Sequence, residues 1–390
     1  MKTWIRHANI VTRERVLPAG WCLVEDGIIL QVGEADTQSP SEVDRVIDAE
    51  GCCLVPGFID LHCHGGGGYD FMDADVEEME KIADYHLQHG TTSLLATTMA
   101  AEPEETRAML DACVAFFEKD IPTTLCGVHM EGPWLNPLQC GAQSVEYMQM
   151  PKSGELTELK EKYPFLVRVS AAPELEGAME FGDEGRSLGI LMSPAHTDAD
   201  FATIETALEH GYQLMTHHYS GMKGVTRQNA YRIAGAVEAG LYFDECFVEI
   251  IADGKHLPEE LLKFIYKCKG ADRICLTTDA TRAAGFSDGT ASVLGSRKNG
   301  VATIIEDGVA KLPDRQSFAG SVATADRLYR TMAGAIGRDL PALSRMASLT
   351  PATLMGWTDR GEIAAGKKAD LVLLDSELNV KKVFFHKRDI

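Results

Sequence analysis

The chain has 390 residues, with 58 acidic against 37 basic side chains and a formal net charge of −21. Its 45% hydrophobic and 24% charged content is ordinary globular composition, which supplies a sizeable core and argues against intrinsic disorder. The negative field repels phosphate backbones and anionic lipid, so nucleic acid and membrane surfaces are poor partners, and an anionic substrate would need local positive charge at its site.

The first ten residues are interrupted by charge, and no stretch reaches the roughly 18 apolar residues of a membrane span. The ten cysteines are irregularly spaced and contain no Cys-x-x-Cys, so neither a disulfide framework nor a thiolate zinc site is indicated. A cytoplasmic protein with buried thiols is expected. From the N-terminus, Trp4 to Val11, Trp21 to Val24, Ile28 to Val32 and Arg45 to Ile47 read as short strands separated by turns at Pro18-Ala-Gly20 and Asp26-Gly27.

Beyond Leu54 short apolar runs alternate with helical patterns, at 76–90, 104–119, 155–163, 202–210 and 258–267. The apolar runs are 58–62, 93–97, 125–130, 167–171, 190–195, 214–217, 248–252 and 274–278. Eight strands alternating with helices predict an α/β fold, a (β/α)8 barrel over 55–357. Hairpin-like alternation near 293–311, around Asn299-Gly300 and Asp307-Gly308, reads as an insertion over the barrel's carboxyl end. The closing segment, 361–375 and then 380–386, is strand-like again. Both termini, 1–54 plus 358–390, are therefore expected to build one small β-sandwich domain.

Active sites of such barrels lie at the carboxyl ends of the strands. The first run ends Asp60-Leu-His62-Cys-His64, and period two puts His62 and His64 on one face, where they could share a metal or form an exposed strand edge. The other runs end in His129-Met-Glu131, Pro194-Ala-His196, Thr216-His217 and Thr277-Thr-Asp279. Potential ligands or proton-transfer groups at so many strand ends point to a metal-dependent hydrolase: an ion held by three or more such ligands lowers the pKa of water from 15.7 to about 7 and polarises a carbonyl. His129 shares the inward face of Glu131 and could support it from behind. His86, His89, His210 and His218 read as structural or solvated, His7 and His386 as bystanders in the small domain. Gly65 to Gly68 lacks the Gly-Lys-Ser/Thr of a phosphate loop, so its glycines are expected to let a loop approach the metal or substrate closely.

Pro56-Gly-Phe-Ile-Asp-Leu-His-Cys-His-Gly65, His129-Met-Glu-Gly-Pro-Trp134, Ala195-His-Thr197, Thr216-His217, Ile251-Ala-Asp-Gly-Lys-His256, Leu276-Thr-Thr-Asp-Ala280 and the closing Gly-Lys-Lys-Ala-Asp-Leu-Val resemble the amidohydrolase superfamily. Within it the chain resembles the N-acetylglucosamine-6-phosphate deacetylase family over essentially its whole length. The resemblance implies that Glu131, His196 and His217 bind a divalent metal, zinc or iron, and that the retained His62 and His64 allow a second ion, with Glu131 bridging. It implies that Asp279 takes a proton from the attacking water and returns one to the departing sugar amine. The implied reaction releases acetate from N-acetylglucosamine-6-phosphate in amino-sugar metabolism.

The chain also departs from that pattern. Cys140-Gly-Ala-Gln143 stands where the family has Lys-Gly-x-His, so Gln143 replaces a histidine that contacts the substrate. Ser220-Gly221 replaces the Asn-Ala pair that helps seat the sugar phosphate, implying a roomier pocket. Arg227-Gln-Asn-Ala replaces Arg-Glu-Pro-Gly, leaving Arg227 or Arg232 to meet the phosphate, with Arg227 favoured. His256 is retained; in the family it contacts the phosphate, commonly across a dimer interface, which implies a homodimer. These departures keep two rival readings: the same chemistry on N-acetylgalactosamine-6-phosphate or another amide, and a non-catalytic phosphosugar-binding protein.

Overall fold

The computed structural model describes residues 1–35, 40 and 42–386; residues 36–39, 41 and 387–390 of the expected terminal domain lie outside the described residues. The eight apolar runs all form parallel strands. β1 (Phe58–Cys63), β2 (Thr91–Thr97), β3 (Leu125–Glu131), β4 (Leu166–Ala171) and β5 (Leu191–Pro194) make one sheet in that order. β6 (Leu214–Met215), β7 (Phe247–Ile250) and β8 (Ile274–Leu276) make a second. Parallel bridges connect Met192 to Tyr212 and Cys63 to Ala280, at the two places where the sheets' edges meet. Every residue of β1 and β2 is buried, polar ones such as Asp60, His62 and Ser93 included, as in a parallel sheet covered on both faces.

The expected helices form at Val76–Gln88, Pro103–Glu118, Glu155–Lys162, Phe201–Glu209 and Glu259–Lys269. The first is capped by Asp75, whose carboxylate accepts from the N–H groups of Glu77 and Glu78. A helix at Ala178–Ser187 is not legible in the sequence. Its Gly182 and Gly185 each weaken helical propensity by about 1 kcal/mol. Packing nonetheless requires them, since a Cβ on Gly182 would lie 2.4 Å from the His210 carbonyl and one on Gly185 2.2 Å from the Met192 sulfur. Ala236–Tyr242 and Ala325–Ile336 are further helices outside the expected set.

The two chain ends meet in one seven-stranded sheet. Its order runs Val380–Phe384, Leu371–Leu374, Cys53–Pro56, Lys2–Val11, Val16–Glu25 and Ile28–Gly33, with Arg45–Asp48 also paired to Lys2–Val11. Ile5, Ile10, Ile29, Leu54 and Leu371 give it an apolar core of its own. The expected insertion is a three-stranded sheet, Ala291–Leu294, Val301–Glu306 and Val309–Lys311, whose two-residue turn at Asp307-Gly308 has both φ angles positive. A second hairpin, Thr226–Gln228 with Tyr231–Ile233, turns at Asn229-Ala230, again with both φ angles positive. Its three-residue strands are too short to leave a pattern in the sequence; Asn229 is the one local signal.

Candidate active site

β5, β6 and β8 end earlier than their apolar runs, and the shortening positions the site. The backbone leaves each strand just before a functional side chain, and His196, His217 and Asp279 take φ values of 44°, 32° and 45°. Left-handed backbone at a non-glycine residue costs on the order of 1–3 kcal/mol and persists only where its surroundings over-determine it. Here the three side chains are turned into one buried cluster with Glu131 of β3 and with His62 and His64 at the end of β1.

Glu131 is the hub. Its Oε1 lies 2.9 Å from Nε2 of His217 and 3.3 Å from Nε2 of His196. Its Oε2 lies 3.5 Å from Nε2 of His62 and 3.3 Å from Nε2 of His64. Asp279 Oδ1 closes the second group, 3.4 Å from His62 and 3.2 Å from His64. Among the described residues, His62, Glu131 and His217 form one set of ligand atoms within 4.8 Å of one another, and His62, His64 and Asp279 another. This donor set fits a divalent cation: the Nε2 atoms of His62 and His64 converge to 3.1 Å in a buried space flanked by carboxylates.

Two of the four rings are held from behind. His196 Nδ1 lies 2.8 Å from the Gln139 carbonyl and His62 Nδ1 lies 3.2 Å from Glu249 Oε1, contacts that put a proton on Nδ1 and turn Nε2 toward the cluster. Gly141 and Gly221 press on His196; a Cβ at Gly221 would lie 2.7 Å from its Nδ1. The space that Gly221 leaves is thus taken by a histidine ring and does not widen the pocket as expected. The glycines of 65–68 likewise approach the chain itself, since a Cβ on Gly65 would meet the Tyr69 carbonyl at 2.1 Å and one on Gly66 the His86 ring at 2.6 Å.

Arg168 and Glu249, both fully buried, form a layer that the sequence reading missed. Arg168 is paired with both oxygens of Glu249 and donates to the Leu61 carbonyl, Ser193 and Thr216. Glu249 also accepts the His217 backbone N–H at 3.3 Å. The signal that could have found them is a charged residue inside an otherwise apolar strand, Leu-Val-Arg-Val in β4 and Phe-Val-Glu-Ile in β7. His129 belongs to the same layer, with Nε2 2.8 Å from Ser170 Oγ and its ring edge-on to His62.

Charge follows this geometry. Burial pushes the Glu131 carboxyl up, but His62, His196 and His217 outweigh it and hold it well below the usual range. Asp279 is likewise lowered against burial by His62 and His64. Burial disfavours a charged His62, yet Glu131 and Asp279 raise it to about 9. Burial and then Arg168 push His129 well down, so it is neutral.

A cavity opens over the cluster, lined by His64, Glu131, Gln143, His196, His217, Ser220, Gly221, His256 and Asp279 together with Leu294, Ser317 and Phe318. Gln143 is committed within it: its Oε1 accepts the Ala100 N–H at 2.8 Å and its Nε2 donates to Glu131 Oε2 at 2.7 Å. His256 is held by Asp253, Nδ1 to Oδ2 2.9 Å, with its ring against Phe318. Arg227 and Arg232 face each other across the exposed hairpin and do not line this cavity.

Residues 53–389 match the amidohydrolase family. The chain is 30% identical over 383 residues to the N-acetylglucosamine-6-phosphate deacetylase of Bacillus subtilis (strain 168), covering 96% of this chain and 94% of that one. It is equally similar, 30% over 383 residues and 97% of both chains, to the N-acetylgalactosamine-6-phosphate deacetylase of Escherichia coli O157:H7. A variant of the Mycobacterium smegmatis N-acetyl-D-glucosamine-6-phosphate deacetylase, solved in complex with N-acetyl-D-glucosamine-6-phosphate, superposes with a TM-score of 0.90 at 29% identity over 99% of this chain and 98% of that one.

Proposed function

The chain belongs to the amidohydrolase family, and from that premise we propose that it hydrolyses the acetamide of N-acetylglucosamine-6-phosphate to acetate and glucosamine-6-phosphate. The observation that carries the chemistry is Glu131, which offers one oxygen to His196 and His217 and the other to His62 and His64, with Asp279 on the latter pair. The substrate rests on the full-length relatives. Glu131, His196 and His217 would hold one divalent cation, zinc or iron, and His62 and His64 a second in the same subunit. Such a cation, when bound, polarises the amide carbonyl and makes water a nucleophile near neutral pH.

The rest is done by the chain. Asp279, ionised, accepts a proton on Oδ1 from the attacking water. As the C–N bond breaks, it delivers that proton to the sugar nitrogen, which departs as the amine while the acetyl carbon leaves as acetate. Ser220 and Gly221 line the cavity on the His196 side, and His256, steadied by Asp253, is the lining residue we place against the phosphate. Arg227 stands outside the cavity lining of its own chain, so its contact with a bound phosphate would need this hairpin, or that of a second copy, to come over the cavity. An exposed hairpin with Tyr231 78% accessible is a surface that such a copy would cover, and we read the protein as a homodimer on that ground.

The two bridges between the parallel sheets support a closed (β/α)8 barrel over 55–357, and the separate apolar core of the terminal sheet supports a sandwich-like domain of 1–54 plus 358–390. No helix among the described residues is long and apolar enough to cross a membrane. Ten free thiols support a reducing, cytoplasmic setting.

The test is acetate release by metal-reconstituted protein from N-acetylglucosamine-6-phosphate, with the unphosphorylated sugar and the galacto epimer alongside. Turnover confined to the gluco phosphate is expected. Turnover confined to the galacto phosphate would transfer the assignment to the second relative's substrate, and no acetate from any, with metal bound, would overturn it.

A further inference from the structure

We infer that the buried Arg168–Glu249 pair is a positioning unit for the metal-binding histidines, a reading that rests on the cation site proposed above. Glu249 Oε1 meets His62 Nδ1 at 3.2 Å and the His217 backbone N–H at 3.3 Å. One carboxylate oxygen thus touches a residue from each half of the cluster, His62 beside His64 and Asp279, and His217 beside His196. Because a carboxylate only accepts, His62 keeps a proton on Nδ1, which leaves Nε2, facing Glu131 and Asp279, as the ring atom available to a cation.

Arg168 fixes Glu249 in turn. Its guanidinium spans both oxygens of Glu249 and spends its remaining donors on Leu61, the residue preceding His62, on Thr216, the residue preceding His217, and on Ser193. The pair therefore anchors β1 and β6 at the positions adjoining two of the ligands. A buried ion pair is a weak source of stability compared with apolar side chains of the same volume, so packing alone does not account for a charged pair at this depth. Holding a ring's tautomer and the spacing between two half-sites does account for it.

The experiment compares the full-length protein with E249Q, which keeps the volume but sets an amide N–H against either His62 or Arg168, and with the apolar double variant R168M/E249L, which leaves no unpaired charge. Cation affinity and stoichiometry are measured by titrating the metal-free proteins with Zn(II), the ligand-field spectrum is recorded with Co(II), and kcat and KM are measured separately. About 10- to 100-fold weaker binding of a cation is expected in each variant that folds. A changed Co(II) spectrum and a fall in kcat with little change in KM should accompany it. Wild-type affinity and an unchanged Co(II) spectrum in a folded E249Q or double variant would overturn the inference. A wild-type protein that binds no cation would instead overturn the proposed function, so the two failures are distinguishable.

Discussion

At the floor of the site Glu131, His62 and Arg168 are shut from water, and each has several polar partners at hydrogen-bond or ion-pair distance. The hairpin Thr226–Gln228 with Tyr231–Ile233 is the opposite, with five of its six strand residues exposed. A hydrolytic centre needs reacting groups held to fractions of an ångström, and a buried, mutually satisfied network achieves that at the expense of tolerance to change. An exposed two-stranded hairpin is marginal by itself and changes readily. The departures from the pattern that the resemblance implies spare His62, His64, Glu131, His196, His217 and Asp279, but they are not confined to the hairpin: Gln143 donates to Glu131 on the floor itself.

That contrast is sharpened most by Asp279→Asn, which removes the proton acceptor and should leave the circular-dichroism spectrum unchanged; kcat should fall by about 10² to 10⁴. Near-normal turnover would remove Asp279 from the chemistry and leave the floor without its acid and base. Gly221→Ala probes the packing behind His196 at the edge of the floor. Its φ of 57° disfavours a side chain, and the added Cβ would press on the His196 ring, so kcat should fall by roughly 10- to 100-fold. If kinetics are unchanged while thermal stability falls, the contact is merely structural. The smallest effect is expected at the hairpin: Arg227→Ala should raise KM for the phosphorylated sugar by about tenfold with kcat unchanged, and leave the unphosphorylated sugar unaffected. An unchanged KM, with Arg232→Ala raising it instead, would move the phosphate contact one strand across the hairpin.

Much of the floor was legible along the chain, because parallel strands buried on both faces appear as apolar runs and a polar residue at the end of such a run is conspicuous. His62, Glu131, His196, His217 and Asp279 each stand out that way, and the structure brings them into one cluster. The strand that holds Glu249 was found, but Glu249 was passed over, since a charged residue inside an apolar run declares its partner only when β4 and β7 bring Arg168 beside it. Gln143 reads as a substrate contact from its place in a motif; in the structure it lines the cavity, with its carbonyl accepting from Ala100 and one amide N–H given to Glu131.

The eight apolar strands and five of the helices, the polar residues at the strand ends and the net acidic charge are determined by the sequence alone, since they depend on local periodicity and composition. The left-handed turns at His196, His217 and Asp279, the glycines pressed on His196 and the Arg168–Glu249 pair were decided only by tertiary structure. Each of these is a relation between residues tens to hundreds of positions apart, and its energy exists only once burial has removed water and brought the partners within contact distance.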